Sequence, residues 1–187
     1  GFRTYYADSA HNEFVDGTTY TDGFTAVTAD GTTKSVVVTL KGTNDPAVIA
    51  GDTSGTIATT YSDSSTHLTQ AAKFQGTLSV TDVDSPNTFI TQSDVTGSNG
   101  YGTFSLTSEG AWKYTMDSAH NELVAGTTYT DSFSVAASDG TTQTVTVSIQ
   151  GTNDAAIVGG DTSKTTYETD VAQTITGTLT IKDVDSA

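Results

Sequence analysis

Two Asp-Val-Asp triplets, Asp82-Val83-Asp84 and Asp183-Val184-Asp185, are the residues whose types and spacing most directly suggest chemistry. In an extended segment residues i and i+2 point the same way, so each triplet can aim two carboxylates at one point. Adjacent anions repel unless a cation lies between them. Calcium takes about six to eight oxygens from carboxylates, carbonyls and water, so Ca2+ is the cofactor these residues call for. The plainer reading is a solvated turn after a strand. Asn44-Asp45 and Asn153-Asp154 add amide and carboxylate oxygens. Their neighbouring side chains diverge, so the Asn and Asp of a pair serve different ions, or one of them caps a turn.

Other candidates are weaker. His11 and His120 each lie in Asp-Ser-Ala-His-Asn-Glu, which holds the letters of a hydrolytic triad. One turn cannot align a nucleophile, a base and an orienting acid. His67 falls in a Ser-rich stretch and reads as exposed. Glycoside hydrolysis needs two facing carboxylates, yet Glu is scarce and the Asp residues map to turns. Asp30-Gly31 and Asp139-Gly140 read as hairpin turns. Asp52 and Asp161 suit loops, and Asp22 and Asp131 open strands with no evident role. No cysteine is present, so thiolate metal sites, disulfides and a Cys nucleophile are excluded. No phosphate-binding loop or His-rich metal site appears. The chain reads as non-enzymatic.

Twenty-two acidic residues against seven basic ones give a net charge of −15. Such a field repels nucleic acid and anionic membranes, and no run is long and apolar enough for direct membrane insertion. It also repels itself unless cations sit among the carboxylates.

The chain repeats itself. Residues 8–45 and 117–154 align without a gap at a shift of 109, with about two-thirds of the 38 positions identical. GTNDPAVIAGDTSG from Gly42 matches GTNDAAIVGGDTSK from Gly151, and GTLSVTDVDS at 76–85 matches GTLTIKDVDS at 177–186. The last pair is offset by 101, which places eight extra residues, around Ser-Asp-Ser-Ser-Thr-His, between Ile57 and Gly76. Self-similarity at a fixed period marks an array of like modules. The expected division is the end of one repeat at 1–45, a complete repeat at 46–154 and the beginning of another at 155–187. The acidic motifs then gather where repeats meet, and an ion shared across that linker would restrict bending. Neighbouring repeats are the expected partners. Self-association, by strand donation between incomplete units into a filament, is the alternative.

The elements that must position these residues are strands. Thr and Val favour pleated strands, while Gly and Asp favour turns. Apolar residues alternate at Leu78 and Val80, at Phe104 and Leu106, at Phe133, Val135 and Ala137, and at Val145, Val147 and Ile149. Trp112, Tyr114 and Met116 share one strand face and read as core; were Trp112 exposed, the pair Trp112 and Tyr114 would instead suit a carbohydrate-binding module. Asp-Ser-Ala-His-Asn-Glu-Leu reads as a short helical turn capped by Asp117 or Ser118. Short strands at this spacing predict an all-β fold of tandem cadherin- or immunoglobulin-like β-sandwich repeats.

Taken in order, GTND, GTLxVxDVDS, YGTFSLTSEGAWKYTMD, GTTYTDSFSVAASDGTTQTVTVSIQ and a second GTND resemble the VCBS repeat, over the whole chain. That resemblance implies tandem cadherin-like sandwiches in large bacterial RTX-type adhesins, secreted or displayed at the cell surface. It further implies calcium at the boundaries and roles in adhesion and biofilm formation. Members usually carry Glu-Asp soon after the Gly-Asp-x-Ser segment. Glu168 keeps the first of these, whereas the middle repeat has Ala58-Thr59-Thr60 there. The resemblance therefore implies a metal set of Asn153, Asp154, Glu168, Asp183 and Asp185 at one boundary. The boundary with Asn44, Asp45, Asp82 and Asp84 is expected to be the weaker, with Asp63 a possible substitute ligand.

Overall fold

A computed structural model describes residues 3–59 and 72–186. The extra segment with Asp63 and His67 lies outside the described residues. Twelve strands account for the regular structure, and no helix occurs among the described residues.

Residues 48–58 and 73–150 form a two-sheet sandwich. One sheet has five strands in the order β3 (Val48–Gly51), β5 (Lys73–Thr81), β8 (Ala111–Met116), β7 (Gly102–Leu106) and β6 (Gln92–Thr96). The other has three, β4 (Ser54–Ala58), β10 (Thr142–Gln150) and β9 (Thr128–Ala136), with β4 parallel to β10. The predicted alternation sets the packing. Leu78, Phe104, Leu106, Trp112, Tyr114 and Met116 from the first sheet are buried against Phe133, Val135, Val145, Val147 and Ile149 from the second. Phe104 stacks on Phe133 at 4.0 Å between ring centroids. Trp112 is 2 % exposed and donates its indole N–H to the Asp52 carbonyl at 2.9 Å, so the condition for a sugar-stacking Trp112 is not met. Core aromatics of this size contribute about 3–5 kcal/mol each by truncation.

The flanks repeat parts of this sandwich. Strands β1 (Thr19–Val27) and β2 (Thr33–Lys41) pair with Thr19 opposite Lys41, as β9 and β10 pair with Thr128 opposite Gln150. Strands β11 (Ile157–Gly160) and β12 (Leu179–Lys182) pair as β3 and β5 do. Among the described residues no second sheet covers these hairpins: Phe24 is 43 % exposed where Phe133 is 5 %, and Leu179 is 63 % exposed where Leu78 is 1 %.

Asp117–Leu123 is not helical. It is a turn in which Ser118 Oγ accepts the His120 amide, the Leu123 amide donates to the His120 carbonyl, and His120 takes φ of 50°. A residue in the left-handed region stops a helix from propagating. Both ring nitrogens of His120 are tied locally, to Asp117 at 2.7 Å and to Glu122 at 2.8 Å.

Candidate metal centre at the linkers

Strand β5 ends at Thr81, and the chain then turns instead of running on extended. Asp82 Oδ1 accepts the amides of Asp84 and Ser85, both at 3.0 Å, and the Asp82 amide donates to Asn87 Oδ1. The two carboxylates of the triplet are thus gathered by a turn and not by strand pleating, because an Asp side chain readily accepts the amide two residues on. Asp183 repeats the pattern more loosely, accepting the Asp185 amide at 3.4 Å.

Each triplet reaches the linker of its own repeat. The Asp45 amide donates to Asp84 Oδ2 at 3.3 Å, and the Asp154 amide donates to Asp185 Oδ2 at 3.2 Å. Asp84, Asp154 and Asp185 are buried. Asp82 Oδ2, Asp84 Oδ1 and Asp185 Oδ1 are inaccessible oxygens without a hydrogen-bond partner. Burial, then the neighbouring Asp82, raises the Asp84 carboxyl above its ordinary pKa. Burial, followed by Asp185, Asp183 and Glu122, does the same to Asp154. These are environments that disfavour bare carboxylates, and hard oxygen donors of this kind fit Ca2+. Among the described residues no three His, Cys, Asp or Glu side chains form a ready-made cage. An ion here would complete its shell from carbonyls, Asn oxygens and water.

The sites expected from sequence divide as follows. Asp82 and Asp84 meet Asp45, and Asp183 and Asp185 meet Asp154, as above. Asn44 is exposed and bonds toward Asp139, and Asn153 is exposed and donates to the Asp154 carbonyl. Glu168 is not brought to Asp183 and Asp185; it is exposed in the irregular stretch between β11 and β12. By the 109-residue shift it occupies the place of Thr59. The Thr59 hydroxyl meets the Gln150 carbonyl and Thr152, at the far end of the sandwich from Asp82. Strand β4 runs parallel to β10 toward the following linker, so a residue at its end serves the next boundary along.

Two contributors were missed. Asp139 closes its own hairpin by accepting the Thr141 amide, and also accepts the Ala47 amide of the linker at 2.9 Å. Glu122, two residues from His120, lies close enough to the second linker to raise Asp154. Its recurrence in Asp-Ser-Ala-His-Asn-Glu was the available signal.

The family model of the bacterial cadherin-like domain matches residues 44–151. This chain belongs to the bacterial cadherin-like domain family. The match spans the sandwich and the linker ahead of it. No curated protein matches the chain. Cadherin-like domains of this kind are in general non-catalytic structural modules and are typically extracellular. No helix of the described residues is long and apolar enough to cross a membrane.

Proposed function

We propose that this cadherin-like chain is a non-catalytic spacer from a large bacterial surface adhesin of the VCBS-repeat, RTX-associated type, stiffened by calcium at the linkers between repeats and serving adhesion and biofilm formation. The chain then divides at 45/46 and 154/155, with neighbouring repeats as its partners outside the cell. The observation that carries this reading is the set of buried, unpartnered carboxylate oxygens on Asp82, Asp84 and Asp185, each within a turn that also holds the linker. A divalent ion bound there would neutralise the paired carboxylates and join a linker to the following repeat. A string of domains would then behave as a rod and hold a terminal binding domain away from the cell.

A calcium titration followed by thermal unfolding and small-angle scattering tests this. Saturation at about a hundred times the dissociation constant stabilises by about 2.7 kcal/mol. At roughly 4–8 °C per kcal/mol for a domain of about 100 residues, the melting temperature rises by on the order of 10 °C or more. The maximum dimension should lengthen and its spread narrow. Unchanged melting and unchanged scattering after chelation would sink the proposal.

A further inference from the structure

The outer face of the five-stranded sheet carries a cluster of side chains that neither the core nor the linkers use. Strand pleating turns Phe104, Leu106, Trp112 and Tyr114 inward, so Lys73 and Gln75 of β5, Lys113 of β8 and Ser105 of β7 face outward. Gln75 pairs with Lys113, and Lys113 with Ser105, in one cross-strand row. Lys73 lies diagonally from Lys113, roughly 7–8 Å away between Cα atoms. A trough of about 350 Å³ opens over this row, lined by the polar side chains of Gln75, Ser93, Ser105, Thr107 and Lys113. Leu106 and Trp112 also border it but are buried, each 2 % exposed.

Two observations set this face apart. Residues 46–154 contain no arginine and only two lysines, Lys73 and Lys113, and both stand here. In a chain of net charge −15, the basic side chains of the sandwich are thus gathered on one sheet face. Among the described residues neither lysine meets a carboxylate, since the ion pairs use His11, His120 and Lys164. The flanking repeats, moreover, have threonine at all three positions. Lys113 maps to Thr4 at the shift of 109, and Lys73 and Gln75 map to Thr174 and Thr176 at the shift of 101. Threonine is an ordinary residue for an outward strand position. Phe74 and Tyr114, which point inward beside them, map to Ile175 and Tyr5 and so keep their apolar or aromatic character. The exchanges to Lys, Gln and Lys alter a surface and leave the core pattern alone.

We infer that this trough binds an acidic saccharide, a chain of uronate-type sugars. Lys113 and Lys73 meet ligand carboxylates, while the Gln75 amide and the Ser93 and Ser105 hydroxyls exchange hydrogen bonds with sugar hydroxyls. Asp94, at the β6 margin, already accepts the Ser105 hydroxyl at 3.3 Å and adds an acceptor for a sugar hydroxyl. No ring stacking is involved, because Trp112 is buried. The trough exposes no aromatic or large aliphatic side chain of the kind that anchors a protein partner. The chain's negative field opposes a polyanion as dense as nucleic acid. The site is independent of ions at the linkers and makes this repeat a binding module as well as a spacer.

The test titrates the full chain with tetragalacturonate in chelator, which removes calcium bridging, and reads amide shifts by NMR. Shifts should cluster at Gln75, Ser105, Thr107 and Lys113. Lys113→Thr, which installs the residue of the flanking repeat, should weaken binding by about tenfold. Lys34→Thr removes the same charge from the β1–β2 hairpin and should leave the affinity unchanged. The fully methyl-esterified tetrasaccharide keeps the hydroxyls without the charge, and tetraglutamate keeps the charge without the hydroxyls. Each should bind about tenfold more weakly than tetragalacturonate. The inference is overturned by an absence of shifts at millimolar tetragalacturonate, by equal losses in Lys113→Thr and Lys34→Thr, or by either control ligand binding as tightly. Self-association in sedimentation that Lys113→Thr abolishes would assign the face to a second copy of the chain and overturn it too.

Discussion

A carboxylate taken out of water is tolerated when its lone pairs are used, and Asp131 uses them on backbone amides from a distant turn. Its oxygens accept the amides of Asn99, Tyr101 and Ser132 and the hydroxyl of Tyr114. Burial, followed by the Asp131 charge, pushes the Tyr114 hydroxyl well above its ordinary pKa, so it stays a donor. Asp131→Ala leaves at least three buried donors without an acceptor, at about 1–3 kcal/mol each and less than additive. The expected loss is about 3–5 kcal/mol, measured by urea denaturation with the buried Trp112 as fluorescent reporter. Asp22→Ala, at the equivalent place, should cost under about 1 kcal/mol because Asp22 is exposed. The two aspartates sit in nearly identical local sequence. The role of Asp131 is set by residues some thirty positions away, which is why it could not be read from neighbouring letters.

At the scale of elements, the strands and their inward faces were legible, because a period of two with turn residues between runs is a local signal. Phe133, Val135, Val145, Val147 and Ile149 are buried as the alternation required. The Asp-Val-Asp segment was misread as extended because its own side chains bend it, and Thr59, which Glu168 matches at the 109-residue shift, stands where β4 carries its end to the opposite pole of the sandwich. The β9–β10 hairpin shows a turn residue with a second duty. The Thr141 hydroxyl, then the Ala47 and Thr141 amides acting against burial, hold the Asp139 carboxyl down at about 2. A carboxyl depressed on folding stabilises fully above its unfolded value of about 3.8, and that stabilisation is lost as pH falls through its folded value. The stability difference between wild type and Asp139→Asn should therefore be constant from about pH 7 to 5, shrink below about pH 4 and vanish only below the folded value, by about pH 1. Chemical denaturation across that range checks it. A difference undiminished at about pH 1 would show that the latch to Ala47 does not depend on charge.

Across the whole molecule the acidic excess and the linker turns pose one electrostatic problem. Fifteen uncompensated negative charges favour expansion, yet Asp154, Asp183 and Asp185 are held together at a linker where Asp154 is raised by burial and by its acidic neighbours. Without a cation this cluster opposes the folded linker; with one, the same charges attract it. Replacing one carboxylate by its isosteric amide should thus change sign with conditions. Asp183→Asn keeps an oxygen for the Asp185 amide while removing one charge. In chelator it should leave the melting temperature unchanged or raise it, since a repulsion is relieved. In saturating calcium it should lower the melting temperature by several degrees and weaken calcium binding by at least tenfold. Asp82→Asn should behave alike at the first linker, whose turn carries the tighter hydrogen bonds. A merely structural aspartate would destabilise equally in both conditions, so the reversal, measured by calorimetry with and without calcium, separates an ion-holding linker from a hydrogen-bonded turn.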